Sequence, residues 1–306
     1  MTSVDSTLGD VTVNLDGLWL LQALHGIPAL PAELRARPYG AARGDDWLAA
    51  HPGLDALRDA GLVDGDGQVV APLARRLAVL AAPDVEVAML ISRGPMTWGI
   101  PDLADPSTWR AVPEDQLRVV LARRDGRWVS AARSGGDITI DDVATGPGVG
   151  GADWLAIVLL SLLDSAHAAA PSRLTPLNLP LDQVLSVAAA RAGGDRDDPG
   201  RGGGLRDLGL RGAALAELAE LMDHPVAEAV AYARAHVDAA VHTSVCTLDV
   251  RSTEAGRVAL YRLAAVRGSD QEWMTIAPAT VGQVEQGLKA VLSNLDIRSW
   301  DDHRRF

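Results

Sequence analysis

The chain is poor in the residues that most site chemistry needs. It has one cysteine, Cys246, so an intrachain disulfide is excluded and a reducing compartment is the natural setting. It has one lysine, Lys289, and arginine carries almost all the positive charge. That charge is outweighed: the formal net charge is −12, which repels nucleic acid and anionic lipid and removes both from the expected partners. No long apolar run occurs. The longest, Trp154–Leu163, is about half of the ~20 residues that a membrane-spanning helix requires. The first ten residues are polar and acidic, without the basic start and apolar core of a secretory signal. The expectation is a cytoplasmic protein with no membrane insertion.

Reaction signatures are missing too. No G-x-S-x-G elbow, P-loop or H-E-x-x-H occurs, so nucleophilic, phosphoryl-transfer and metallohydrolase chemistry each lack their usual mark. His236, His242 and Cys246 suggest a metal site, and on a strand His242 and Cys246 would share a face. Zinc takes three or four ligands and there is no second cysteine, so a core histidine beside a buried thiol is the better reading. Asp64 and Asp66 begin like a calcium loop but continue into Gln68-Val69-Val70. The acid pairs Asp141-Asp142, Asp197-Asp198 and Asp301-Asp302 read as solvated turn or tail. No cofactor and no metal are expected, and no catalytic residue is assigned.

One motif invites an enzyme reading. Gly146-Pro-Gly148-Val-Gly150-Gly151 matches the G-x-G-x-x-G of dinucleotide sites, after a strand and before a helix. A true fingerprint needs a parallel βαβ unit and an acidic residue ending the next strand. Here Ala168–Pro171 and a proline-rich connector follow instead. The loop reads as a flexible hinge, with a nucleotide- or small-molecule-binding enzyme kept as the alternative function.

What the chain does contain is a repeated text. Val119, Leu121 and Arg123 run into Asp125-Gly126, Trp128, Ser130 and Ala132 run out, and Ile138 with Ile140 follow Gly135-Gly136. Apolar-bearing runs joined at Asp-Gly signal a hairpin, and the glycine pair extends it to a three-stranded meander. A helical stretch follows at Trp154–Leu163. In the second half Val245, Thr247 and Asp249 run into Glu254-Ala255-Gly256. Arg257–Ala264 return, Trp273–Ala277 make a third strand, and Thr280–Leu292 is helical. Upstream, Leu57–Leu62 (LRDAGL) answers Leu205–Leu210 (LRDLGL). The period is too long for a solenoid and reads as one duplicated α+β unit. The expected organisation is a disordered segment 1–10, halves 11–165 and 166–297 forming one compact domain, and a tail 298–306.

Further along the chain, Val11–Leu15 alternates as a strand, and Asp16 is the expected N-cap of a helix over Gly17–His25. Pro31–Pro52 is loose, with Tyr39 and Trp47 as anchors. Pro72 opens a helix through Ala81. Val85–Ser92 is a strand. Val226–Arg234 is alanine-rich and suits a helix by propensity, but its place opposite Val85–Ser92 in the repeat makes it a strand. Gly193–Gly204 is a low-complexity flexible loop. Arg93–Glu114 is a long insert with four prolines, carrying Met96, Trp98, Ile100 and Trp109. Such inserts are functional or disordered. Exposed apolar and aromatic clusters mark protein-binding sites, and the alternative is a loop folded back over a sheet face.

The order of these features resembles a known family. The V-x-L-x-x-L-W segment Val13–Trp19 is followed by a Gly-Leu-x-x-x-x-Gly turn at Gly61–Gly67 and by ARRDGR at Ala122–Arg127. In the second half come E-x-G-R at Glu254–Arg257, then Glu272-Trp273 and the stretch Thr275–Thr280 before the last helix. This looks like EspG, the chaperone family of ESX (type VII) secretion, over most of the chain. The resemblance implies a quasi-two-fold α+β fold, a central antiparallel β-sheet flanked by two helical bundles. It implies a non-enzymatic cytosolic chaperone that binds the hydrophobic helical tip of a PPE protein in a PE–PPE heterodimer. The client is kept soluble and directed to the ESX machinery. The expected partner-binding residues are Met96, Trp98, Ile100, Thr247, Asp249 and Trp273, with Thr247 and Asp249 on one strand face. A homodimer through the exposed sheet face is a further possible assembly.

Overall fold

The computed structural model describes residues 8–37, 48, 50–96, 104, 112–193, 203–263 and 271–305. Its centre is an 11-stranded sheet in which every strand pair is antiparallel. The first half supplies β1 (Val11–Asn14), β2 (Val85–Arg93), β3 (Gln116–Arg124), β4 (Arg127–Ser134) and β5 (Asp137–Asp142). The second supplies β6 (Leu177–Pro180), β7 (Ala227–Val237), β8 (Ala240–Thr243), β9 (Leu248–Thr253), β10 (Gly256–Arg262) and β11 (Trp273–Pro278). The strand order is β1-β5-β4-β3-β2-β7-β9-β10-β11-β6, with β8 beside β7. Thus β2 and β7 meet at the middle, and the four-residue β1 and β6 lie at the two rims.

Helices repeat in the same order. α1 (Leu15–His25), α2 (Gly53–Asp59) and α3 (Ala71–Ala81) lie between β1 and β2. α5 (Leu181–Gly193), α6 (Gly203–Asp207) and α7 (Gly212–Asp223) lie between β6 and β7. Each meander closes with a helix, α4 (Ala152–Ala166) or α8 (Val281–Ser293). A short 3-10 turn, Ala32–Leu34, follows α1.

Strand alternation assigns the two faces of the sheet. Val85, Val87, Met89 and Ile91 of β2 join Ala227, Ala229, Ala231, Ala233 and Ala235 of β7 under α4 and α8, in the largest core. The alternating alanines explain the helix-like composition of β7. They are the small side chains over which two helices pack. On the other face, α1–α3 cover Val120, Ala122, Val129, Ala131, Ile138 and Ile140, while α5–α7 cover Val258 and Ile276. The α+β architecture read from the sequence is the one observed.

Local differences have physical reasons. Asn14, not Asp16, caps α1, its side chain accepting from the Gly17 amide at 2.8 Å. Leu8 and Gly9 are ordered, because the buried Arg76 guanidinium donates to both carbonyls at 2.6 and 2.8 Å. Asp142 is not a solvated turn acid: it pairs with Arg76 at 2.8 Å and Arg127 at 2.7 Å. The strand on which His242 and Cys246 would share a face is not continuous. In the β7–β8 ladder Arg234 faces Thr243, yet in β7–β9 Ala231 faces Leu248. Four residues, Ser244–Thr247, therefore oppose two, a bulge that turns Val245 and Thr247 outward and Cys246 inward.

The tail is not free either. Arg123 donates to the carbonyls of Trp300, Asp301 and His303 at 2.7–2.9 Å, and Trp300 packs tilted on Trp128 at 6.2 Å. Arg305 N reaches Asp84 at 2.8 Å, and a His303 ring nitrogen meets the His236 carbonyl at 2.8 Å. Asp301 and Asp302 themselves stay exposed. The tail straps the second half to the first.

Candidate partner-binding face

Between the two helical bundles the sheet changes character. The core of the first bundle extends inward to β3, and that of the second reaches only β10. The strands between, β2, β7 and β9, carry on this face Glu86, Leu90, Ser92 and Glu228, all buried, and Val230, Tyr232, Arg234, Asp249 and Arg251, all half-buried. One row shows the change. Ile138, Arg133, Arg118, Leu90, Val230, Asp249, Leu260 and Ile276 are successive cross-strand partners, apolar at each end, with Arg133 and Arg118 on one side and Asp249 on the other of the central aliphatic pair Leu90 and Val230.

Two ion networks hold this strip. Towards the first half, Arg234 binds Glu33 at 2.9 Å and Glu86 at 3.0 Å, and the Tyr232 hydroxyl donates to Glu33. Burial works to raise the Glu33 pKa, but the hydrogen bonds from Arg234 and Tyr232 outweigh it and hold the carboxyl below its usual range. Towards the second half, Arg251 serves two carboxylates, Glu228 at 3.0 Å and Asp249 at 2.8 Å. Burial, opposed by Arg251 and reinforced by Glu228, pushes the Asp249 carboxyl up to about 7. Its Oδ1 is enclosed and has no hydrogen-bond partner among the described residues.

Glu228 also accepts from the Met96 amide at 2.6 Å, while Gly94 N donates to the Val226 carbonyl and Arg93 N to Asp115. The root of the long insert is thereby fixed beside Asp249. Among the sequence-expected residues, Met96 and Asp249 come together here through Glu228. Thr247 lies at the end of the bulge, exposed and one residue before β9. Trp98 and Ile100 lie outside the described residues, as do Trp109, Tyr39 and Trp47. Trp273, 37% exposed, opens β11, and alternation against Met274 and Ile276 of the second bundle puts it on the opposite sheet face. Sequence reasoning missed Glu228, Arg251 and Arg234. The signal was there: alternating with alanine along β7 stand Glu228, Val230, Tyr232 and Arg234, the pattern of one buried and one polar face.

The glycine-rich loop is packed rather than hinged. Gly150 has φ +84°, and a Cβ there would lie 2.3 Å from the Trp128 ring, so only glycine fits. The Trp300 indole donates to the Gly150 carbonyl at 3.0 Å. The loop follows an antiparallel meander, and two tryptophans pack against it where a dinucleotide reading would have its phosphates. Cys246 is buried under α8, where Asn294 donates to its sulfur at 3.3 Å, and the bulge separates it from the strand carrying His242.

An antiparallel sheet with a polar middle, flanked by two like bundles, is the architecture of a platform for another macromolecule. The family model described as the EspG family matches residues 14–290. Two relatives are named ESX-5 secretion-associated protein EspG5, from Mycobacterium marinum and Mycobacterium tuberculosis. Each is 40% identical over 305 residues, covering 98% of both chains. A solved structure of the M. tuberculosis type VII secretion system chaperone EspG5 in complex with a PE25-PPE41 dimer superposes with TM-score 0.83 at 37% identity. It covers 96% of this chain and 99% of that one. The chain belongs to the EspG family. No helix among the described residues is long and apolar enough to cross a membrane.

Proposed function

We propose that this protein is a chaperone of type VII secretion. It binds the hydrophobic helical tip of a PPE protein within a PE–PPE heterodimer, keeps that tip out of water and delivers the pair to the ESX machinery. It works in the cytoplasm, catalyses no reaction and uses no cofactor. The carrying observation is the near full-length likeness to an EspG5 that was solved holding a PE25-PPE41 dimer. Exposed apolar tips associate because burying apolar surface releases about 25 cal/mol per Å². A reusable cap therefore prevents aggregation without any energy source.

The halves 11–165 and 166–297 act as one platform, and the contact patch comprises the strip, the bulge residue Thr247 and the insert with Met96, Trp98 and Ile100. Asp249 stands at its centre. Trp273, on the other face, stays outside it. A specific interface near ~1,600 Å² suits this breadth of surface.

Co-expression tests the proposal. The tagged chain is purified with PE–PPE pairs encoded beside its own gene, and with the PE25–PPE41 dimer. At least one pair is expected to co-elute as a stable ternary complex. Failure of every pair to co-elute removes the proposal.

A further inference from the structure

The strip is not electrically uniform, and its two ends carry opposite unanswered charge. Arg118 on β3 is 6% exposed and makes no ion pair among the described residues. Among the described residues its one hydrogen bond goes to Gln116 at 3.2 Å, and its enclosed Nε has no acceptor. Glu33, the carboxylate whose charge acts on Arg118, is already committed to Arg234 and Tyr232. Arg35 adds charge of the same sign as Arg118. At the other end Glu228 and Asp249 share one guanidinium, that of Arg251, and Asp249 Oδ1 has no donor among the described residues. The first end has a guanidinium to spare, the second a carboxylate.

These ends lie on one cross-strand row: Arg118 opposite Leu90, Leu90 opposite Val230, Val230 opposite Asp249. Paired residues point to the same face, so all four side chains rise from the same side of the sheet. Three inter-strand spacings separate the charged ends by about 14 Å, with two aliphatic side chains between them. A helix covers that distance in about nine residues at 1.5 Å each. The positive end is also opposite in sign to the chain as a whole, whose net charge is −12, so bulk attraction does not account for it.

We propose that this row orients the client: a partner segment with an acidic side chain at one end, a basic one about 14 Å away and apolar residues between docks with its carboxylate over Arg118 and its cation over Asp249. The proposal rests on the chaperone reading above and specifies which way round the client lies. Complementary charges act mainly on register and specificity. A client with the opposite polarity would set like charges against both ends and be refused.

The test measures affinity of the full chain for whichever PE–PPE pair co-elutes with it, at two salt concentrations. Arg118→Gln and Asp249→Asn are each expected to weaken binding at least fivefold and to flatten its salt dependence. Arg118→Lys, which keeps the charge, should recover most of the loss. The doubly reversed chain, Arg118→Glu with Asp249→Arg, should bind more weakly than either single variant. Lys289→Gln on α8, across the sheet from the row, serves as the control and should not change affinity. Should Arg118→Gln lower the melting temperature enough to obscure binding, Asp249→Asn and Asp249→Lys carry the test, with Asp249→Lys the weaker binder. Wild-type affinity in both neutralised variants, or in both Asp249 variants, overturns the orientation proposal and leaves the chaperone reading standing. Absence of any bound pair with the unaltered chain overturns that reading, and the orientation falls with it.

Discussion

The two halves of the sheet are related position by position, and one strand separates their roles. β2 and β7 run antiparallel with Met89 opposite Ala231, and rotation about that point carries Glu86 onto Glu228. The neighbours follow: Val120, opposite Ala88, corresponds to Asp249, opposite Val230, and Ala122 corresponds to Arg251. In the first half this pair is aliphatic and lies in the core beneath the bundle. In the second half it is a carboxylate and a guanidinium on the polar strip. The ladders differ as well, since β2 and β3 pair without interruption while the partner of β7 is broken by the Ser244–Thr247 bulge. Two copies of one unit thus divide the work. One places this strand in the core, and the other leaves it on the polar strip proposed to meet the client.

The sharpest test of that contrast exchanges the residues. Val120→Asp puts a carboxylate into a fully buried aliphatic site without a counter-charge, which is expected to cost ~4 kcal/mol. Urea unfolding would show a lower midpoint or loss of the folded state, and an unchanged midpoint would break the comparison. A somewhat smaller loss is expected at the strap. Trp300→Ala removes the ring packed on Trp128 and the hydrogen bond to Gly150, for ~3 kcal/mol in the same assay. An effect below about 1 kcal/mol would mean that the tail contributes little to joining the halves.

The smallest effect has the opposite sign. Asp249→Val recreates the first-half residue and removes a carboxyl with one unsatisfied oxygen. Stability should rise by ~1 kcal/mol at neutral pH, because apolar replacement of imperfectly paired buried charge is neutral or favourable. Client binding should fall at the same time. Linkage adds a pH signature. The folded pKa of Asp249 lies above its unfolded value, so the folded state holds the proton more tightly and stability declines as pH rises from about 4 to about 7. Asp142 behaves in reverse: Arg127 and Arg76 overcome burial and depress its pKa, so its contribution is present above about 4 and is lost as pH falls further. Thermal melts against pH should show the upper slope in the native chain and its loss in Asp249→Val.

Much of this architecture was legible in the sequence because it rests on local signals. Asp125-Gly126, with positive φ at both residues, is the turn that the text demands, and the meander around it forms as expected. Pro72 near the start of α3 and Thr280 capping α8 are likewise local. The β7 strand was harder, because alanine favours helix and only the alternation with larger residues reveals the pleat. The site was less legible than the fold. Asp249 and Met96 are 153 positions apart, and Glu228 joins them only once β7 lies at the centre of the sheet. The tail defeated the reading for the same reason: Arg123 finds its acceptors nearly 180 residues away. The bulge left a trace in Val245, an exposed aliphatic at 69%, but no turn residue marks it.

The rims of the sheet bear on how it resists edge-to-edge association. An extended ladder normally ends in open amides and carbonyls that recruit further strands, the starting point of fibrils. Here each outermost strand is only four residues long, and the β6 rim finishes at Pro180, which has no amide hydrogen to offer. Rims this short, together with a β8 of four residues that pairs only with β7, leave a further strand little backbone to add to.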